Sequence, residues 1–257
     1  MRRAPTSLLT CVAACLFASV AHAIPVTSNL QVWLDAADPT TILDNDGDSV
    51  ASGNFNGAVR TWLDKSGNGN HALQTNGTQQ FSYTAGGLNS HGIVNAVRAN
   101  SQTMSGALPA GTSVGNITMF TVYRATGSAS GQRHTMLDIS SGLVGGRNGV
   151  PQLQVLDASE LGFHNGGVAD PPRIANQIPL ATLANNWFTS SMVRTGGAPL
   201  GNGSTVTIKS DGTVFDLDTA TQTWNSETNA VYAVGVQNGF ATTSTAASAR
   251  TSSTTVP

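Results

Sequence analysis

The chain has 257 residues, 12 basic and 14 acidic, for a formal net charge of −2 at neutral pH. Charged residues make up only 10% of it, which excludes a basic stripe for nucleic acid and disfavours long exposed helices. Thr, Ser, Asn and Gly fill the polar positions instead, a composition suited to strands joined by Gly/Asn turns.

The first 23 residues read as a cleavable signal peptide. Arg2 and Arg3 supply a positive start, and Leu8 to Val20 form an apolar run of the length a signal core needs. Ala21-His22-Ala23 places small residues at −3 and −1, so cleavage is expected after Ala23. The run is too short to span a membrane, and no later stretch approaches the roughly 18 apolar residues a span requires. A competing reading exists: Val12-Ala13-Ala14-Cys15 resembles a lipobox, which would make Cys15 a lipidated first residue. Cys11 and Cys15 are the chain's two cysteines, so cleavage after Ala23 leaves a domain with no disulfide and no thiolate metal site.

Beyond the signal, short apolar runs recur between turn signals. Asn29 to Ala36 alternates, with Leu30, Val32 and Leu34 on one face. Val59 to Asp64 follows a polar loop, and His71 to Thr75 follows the turn Ser66-Gly67-Asn68-Gly69-Asn70. Ile93 to Arg98 and Met104 to Leu108 are further candidates. Asn116 to Arg124 is the clearest strand: Ile117, Met119, Thr121 and Tyr123 share one face, and Phe120 and Val122 the other, which predicts a central position. Then come His134 to Ile139, Pro151 to Leu156, Trp187 to Arg194, Ser204 to Ser210 and Ala230 to Val236. Asp211-Gly212 signals a hairpin. The loop from Ala169 to Asn186 holds Pro171, Pro172 and Pro179. Strands at this spacing with no helical periodicity predict a sandwich or barrel.

The block Trp62-Leu63-Asp64-Lys65-Ser66-Gly67-Asn68-Gly69-Asn70, preceded by Leu30 to Ile42, resembles the opening of laminin G-like, concanavalin A-like jelly-roll domains of exported bacterial proteins. Ile117 to Gly127 resembles their middle strand, and Asn186 to Gly197 with Ser204 to Phe215 their late strand pair. The likeness runs from about Asn29 to Gly239 and implies an all-β, two-sheet antiparallel jelly-roll sandwich. It says less about activity, because such folds serve lectins, glycanases and adhesion modules alike. The pattern departs at the end. Such domains close with a strand resembling F-x-G-x-I-A-E-I-I-I-Y-N-R-A, whereas Ala241 to Pro257 is low in complexity and lacks an apolar alternation. Read one nucleotide out of phase, Ser244 to Pro257 can spell F-N-G-R-I-G-A-D-L-I-Y-D-R-A, so this tail is expected to be out of frame. Loss of a closing strand would expose an edge and weaken the domain.

Candidate chemistry is sparse. Gly111 to Gly115 fits G-x-S-x-G, but a loop precedes it and a strand follows, which is turn context and not a nucleophile elbow. A glycanase needs two carboxylates at roughly 5 to 9 Å. Glu160 and Glu227 each stand alone, and Asp216 and Asp218 share a strand face without a partner motif. Asp44, Asp46 and Asp48 are the one candidate metal set, an oxygen-rich loop with Ca²⁺ as the candidate ion, against an Asx-rich turn as the plainer reading. Trp33 and Trp62 are expected in the core, as are Trp187 and Trp224 or their edges, with sugar stacking as the alternative for the latter pair. His71, His91, His134 and His164 show no metal-ligand spacing. Asn76, Asn116 and Asn202 open glycosylation sequons that matter only in a eukaryotic host.

The expected organisation is a signal over residues 1–23, a jelly-roll domain over 24–240 and a tail over 241–257. The expected function is a non-catalytic exported module that binds carbohydrate or a cell-surface partner, with Ca²⁺ as its candidate cofactor. A structural domain of a surface protein without a ligand is the alternative, and a glycan-active enzyme a third. No nucleic-acid partner and no membrane span after signal cleavage are expected. The destination is the exterior or cell surface, with the periplasm as another option.

Overall fold

A computed structural model describes residues 29–97, 100–109, 117–125, 134–140, 151–156, 160–165, 186–195, 205–210, 213–218, 231–235 and 244–252. The signal segment, with Cys11, Cys15 and Ala23, lies outside these residues, as do the G-x-S-x-G stretch, Trp224, Glu227 and all of the proline-bearing loop except Asn186.

The described residues form strands and two single turns of 3-10 helix. The strands are β1 (Leu30–Trp33), β2 (Ile42–Leu43), β3 (Ala58–Val59), β4 (Thr61–Trp62), β5 (Ala72–Leu73) and β6 (Phe81–Leu88). Next are β7 (His91–Ala96), β8 (Thr103–Ala107), β9 (Ile117–Ala125), β10 (His134–Ser140), β11 (Pro151–Leu156) and β12 (Glu160–Asn165). Last come β13 (Trp187–Thr195), β14 (Thr205–Ser210), β15 (Thr213–Asp218), β16 (Val231–Gly235) and β17 (Ser244–Ser252).

Two antiparallel sheets result. One has nine strands in the order β15-β14-β13-β9-β17-β7-β6-β3, with β1 also paired to β17. The other has eight, in the order β12-β11-β10-β16-β8-β5-β4-β2. Neighbours far apart in sequence pair across each sheet, and the two inner faces enclose one core. The protein is therefore an all-β jelly-roll sandwich, as the strand pattern and resemblance predict.

The core follows from the period of two. Leu30, Val32 and Leu34 are all buried, and so are Ile117, Met119, Thr121 and Tyr123 of β9. From the second sheet come Trp62, Met104, Leu137, Tyr232 and Val234. Trp62 is fully buried, as expected, but Trp33 is not in the core. It sits one residue off the Leu30–Leu34 face, so it points the other way and is half-buried.

β9 does lie inside its sheet, between β13 and β17. Its second face is open, and Phe120 is 47% exposed. The hairpin at Asp211-Gly212 is borne out by its flanks: Ser210 pairs with Thr213, and β14 and β15 run in register to Thr205 and Asp218.

Several elements differ from expectation. The run from Val59 to Asp64 is two short strands in different sheets, because Val59 and Trp62 are both fully buried at a spacing of three, which no single strand permits. β2, β6 and β12 are not read from the sequence; β6 carries Gly86 and Gly87 and half of its residues are exposed, which hides its pattern. Ser244–Ser252, read as lacking a strand, is β17 and pairs with β9, β7 and β1. Pairing is made by the backbone, so a chain without apolar alternation still completes a ladder where the topology leaves an unpaired edge.

Candidate functional site

Two acidic loops are built for shape. In the first, Asp44 is almost wholly buried, and its carboxylate faces inward. Oδ1 accepts from the backbone N–H groups of Asp46 and Asp48, both at 3.0 Å, and Oδ2 from that of Asn56 at 3.0 Å. Burial works to raise the Asp44 pKa, but the surrounding backbone N–H groups outweigh it and hold the carboxyl below its ordinary range. Asp46 is exposed and Asp48 half-buried. The three side chains are not gathered around one point, and no group of three metal-ligating side chains occurs among the described residues. Asp44 is spent on capping amides, which is the Asx-turn arrangement.

The second loop explains the Trp62–Asn70 block. Asp64 Oδ1 accepts from Trp33 N at 2.8 Å and Ser66 N at 2.9 Å. Its Oδ2 accepts from Ser66 Oγ at 2.6 Å and Asn70 N at 3.0 Å. Asn68 Nδ2 donates to Leu30 O at 2.7 Å and Asn70 Nδ2 to Gln31 O at 2.9 Å. Gly67 and Gly69 take φ of 92° and 72°, which a side chain would resist. Tyr232 completes the clamp, donating its hydroxyl to Asn70 O at 2.6 Å. Burial, aided by the Asp64 charge, pushes that phenol's pKa far up, so it stays a donor. Asp64, Ser66, Asn68 and Asn70 thus fasten the loop to β1.

Beside this clamp lies a cleft of about 120 Å³. It is lined by Asp35 after β1, Leu88 of β6, His91 and Ile93 of β7, Val122 of β9 and Trp187 of β13. Trp187 stands opposite Arg124 in the β9–β13 ladder, and the Arg124 guanidinium lies 5.0 Å from its ring centre. Arg124 does not line the cleft, so part of the indole faces the guanidinium and another part the cleft. Phe120 and Val122 continue the same side of β9.

Asp35 is held from two sides. Its Oδ1 accepts from Ala37 N at 3.0 Å, and its Oδ2 lies 3.0 Å from Lys65 Nζ. The same ammonium is 2.8 Å from Asp38 Oδ2 and 4.8 Å from the centre of the Trp33 ring. Hydrogen bonds from Lys65 and Thr40 lower the Asp38 pKa, while the two carboxylates raise that of Lys65 against the effect of burial. Trp33 therefore supports a charged network at the surface.

Of the residues singled out from sequence, Trp187 and His91 reach the cleft. Glu160 begins β12 at the edge of one sheet, whereas Asp216 and Asp218 lie on β15 at the edge of the other. His71 is exposed, and its Nδ1 accepts from Asp64 N at 3.0 Å. Asp35 and Arg124 lie in the stretches that carry the resemblance but are not singled out there. Arg124 could have been placed on the open face of β9 by its even spacing from Phe120 and Val122; nothing marks Asp35.

No protein-family model matches the chain, and no curated protein matches it in sequence. Solved structures resemble it in fold. The binding domain of Paraclostridial Mosquitocidal Protein 1 superposes with a TM-score of 0.55 at 9% identity, over 90% of this chain and 50% of that one. The chain therefore spans half the length of that relative. Domain 4 of AbnA, a GH43 extracellular arabinanase from Geobacillus stearothermophilus, was solved with arabinotriose; it superposes with a TM-score of 0.54 at 14% identity, over 88% of this chain and 92% of that domain. At such identities the likeness is one of fold.

Proposed function

We propose that this chain is an exported, non-catalytic carbohydrate-binding domain of laminin G-like type, with its site at the cleft beside Trp187. The observation that carries this reading is the cleft's make-up: one aromatic ring, an apolar floor from Leu88, Ile93 and Val122, and one firmly held carboxylate at Asp35. An apolar surface with few fixed polar groups is how small-ligand sites are built, and a sugar offers a matching apolar face with hydroxyls at its rim. A jelly-roll domain of similar fold binding arabinotriose adds support. So does the place of Glu160 on β12 and of Asp216 and Asp218 on β15, each an edge strand that contributes no described residue to the cleft.

The test is calorimetric titration of the exported domain with arabinotriose and a panel of other oligosaccharides, with and without Ca²⁺. A ligand that binds is expected to lose at least about tenfold in affinity, ~1.4 kcal/mol, in Trp187→Ala, while the melting temperature holds. Absence of binding across the panel would favour a structural domain or a protein partner. Release of reducing sugar would instead make it an enzyme.

A further inference from the structure

Resting on the carbohydrate-binding reading, we propose that the cleft selects a neutral sugar ring over a uronate, with Asp35 accepting the ring's hydroxyls and Lys65 positioning Asp35. A carboxylate offers about four lone-pair sites. Two on Asp35 are taken, by Ala37 N and by Lys65 Nζ. The remainder are free to accept from hydroxyls in the cleft that Asp35 lines. A pair of adjacent hydroxyls on one ring meets a carboxylate well, because each donates and neither carries charge.

The charge balance argues for a neutral ligand. Asp35, Asp38 and Lys65 form a trio of two carboxylates and one ammonium. Among the described residues, no Lys or Arg lines the cleft. A uronate would bring its own carboxylate against a trio in which two carboxylates already outnumber the one ammonium, and like charges at close range are costly where water is partly excluded. Arg124 is engaged with Trp187 and lies outside the lining. At about 120 Å³ the cleft is well below the roughly 300 Å³ at which pockets enclose a whole small ligand. It takes one ring, or the edge of one.

Lys65 fits a positioning role. Its ammonium is fixed between Asp35, Asp38 and the face of Trp33, and its backbone N–H donates to Trp33 O at 2.8 Å. Asp38 is fixed in turn by Thr40, whose N–H and hydroxyl donate to Oδ1 at 3.1 and 2.6 Å. Asp35 therefore has its orientation set before a ligand arrives, which lowers the entropy lost on binding.

The experiment titrates the full chain with matched neutral trisaccharides (arabinotriose, xylotriose, mannotriose) and uronate trisaccharides (mannuronate, galacturonate). Neutral sugars are expected to bind at least about tenfold tighter than uronates. Asp35→Asn should weaken the neutral ligand and narrow the gap. Lys65→Gln should weaken it too, and Lys65→Arg should restore it, an outcome a purely structural role would not require. Should Asp35→Asn fail to fold, ionic strength tests the wild-type protein: added salt should strengthen uronate binding and leave the neutral ligand nearly unchanged. Uronates binding as tightly as neutral sugars, or weakening with salt, would overturn the selectivity while leaving the carbohydrate reading standing. Failure of both classes to bind would sink that reading and this inference with it.

Discussion

Asp44 and Asp64 use one chemistry at two ranges. Asp44 gathers the amides of its own loop, while Asp64 reaches across to Trp33 and fixes β1. The depressed Asp44 pKa has a direct consequence for acid stability. Its folded-state value lies below the unfolded value of 3.8, so its contribution is complete above that pH and is lost as pH falls through the folded value. Asp44→Asn should lower the urea midpoint at about pH 7, and the gap to wild type should narrow as pH falls below 3.8. A gap that stays constant with pH would show that the carboxylate charge contributes nothing. At this scale the sequence was informative where a side chain serves its own neighbourhood. The Asx turn and the two glycines of the Trp62–Asn70 block follow from local spacing, and both are present. Trp33 misled because tryptophan suggests a core, whereas alternation with Val32 and Leu34 already placed it on the other face.

At the scale of elements, alternation decided what was legible. β1, β9 and β14 alternate clearly and are legible, while β6, with exposed polar residues and paired glycines, is not. β17 is the instructive case. Its register sets Ala249 opposite Thr121 and Thr251 opposite Met119, the buried positions of β9. The out-of-phase spelling carries isoleucine at position 248 and leucine at 252, which the present register sets opposite Val122 and Thr118 on the outer side. Such a strand would bury them after a one-residue slip. Burying each is worth about 1.5–3 kcal/mol. A variant with the out-of-phase residues at positions 244–257 should therefore melt several degrees higher than the chain as it stands. The nucleotides around codon 240 give a second check: third-position bases that spell another pattern would dispose of the frame argument.

For the whole molecule, the strand count and turn chemistry sufficed to predict the sandwich, because burial of alternating faces determines the layer architecture. The cleft was not predictable in the same way. It joins Asp35, His91, Val122 and Trp187, which approach only after strands distant in sequence have paired. No spacing rule reaches across such separations. Export belongs to this scale as well. Protein recovered from the medium of an expressing host should begin at Ile24 on N-terminal sequencing; a first residue of lipidated Cys15 would replace the soluble form with an anchored one.

The crossing at Arg60 has its own implication. β3 belongs to one sheet and β4 to the other, with a single residue between them. Arg60 N donates to Leu43 O at 2.9 Å, and Arg60 O accepts from Gln74 N at 2.8 Å, so even that residue is tied down. A pull that tried to part the two layers at this corner would load covalent backbone, and the sandwich could open there only by peeling one of its ladders apart.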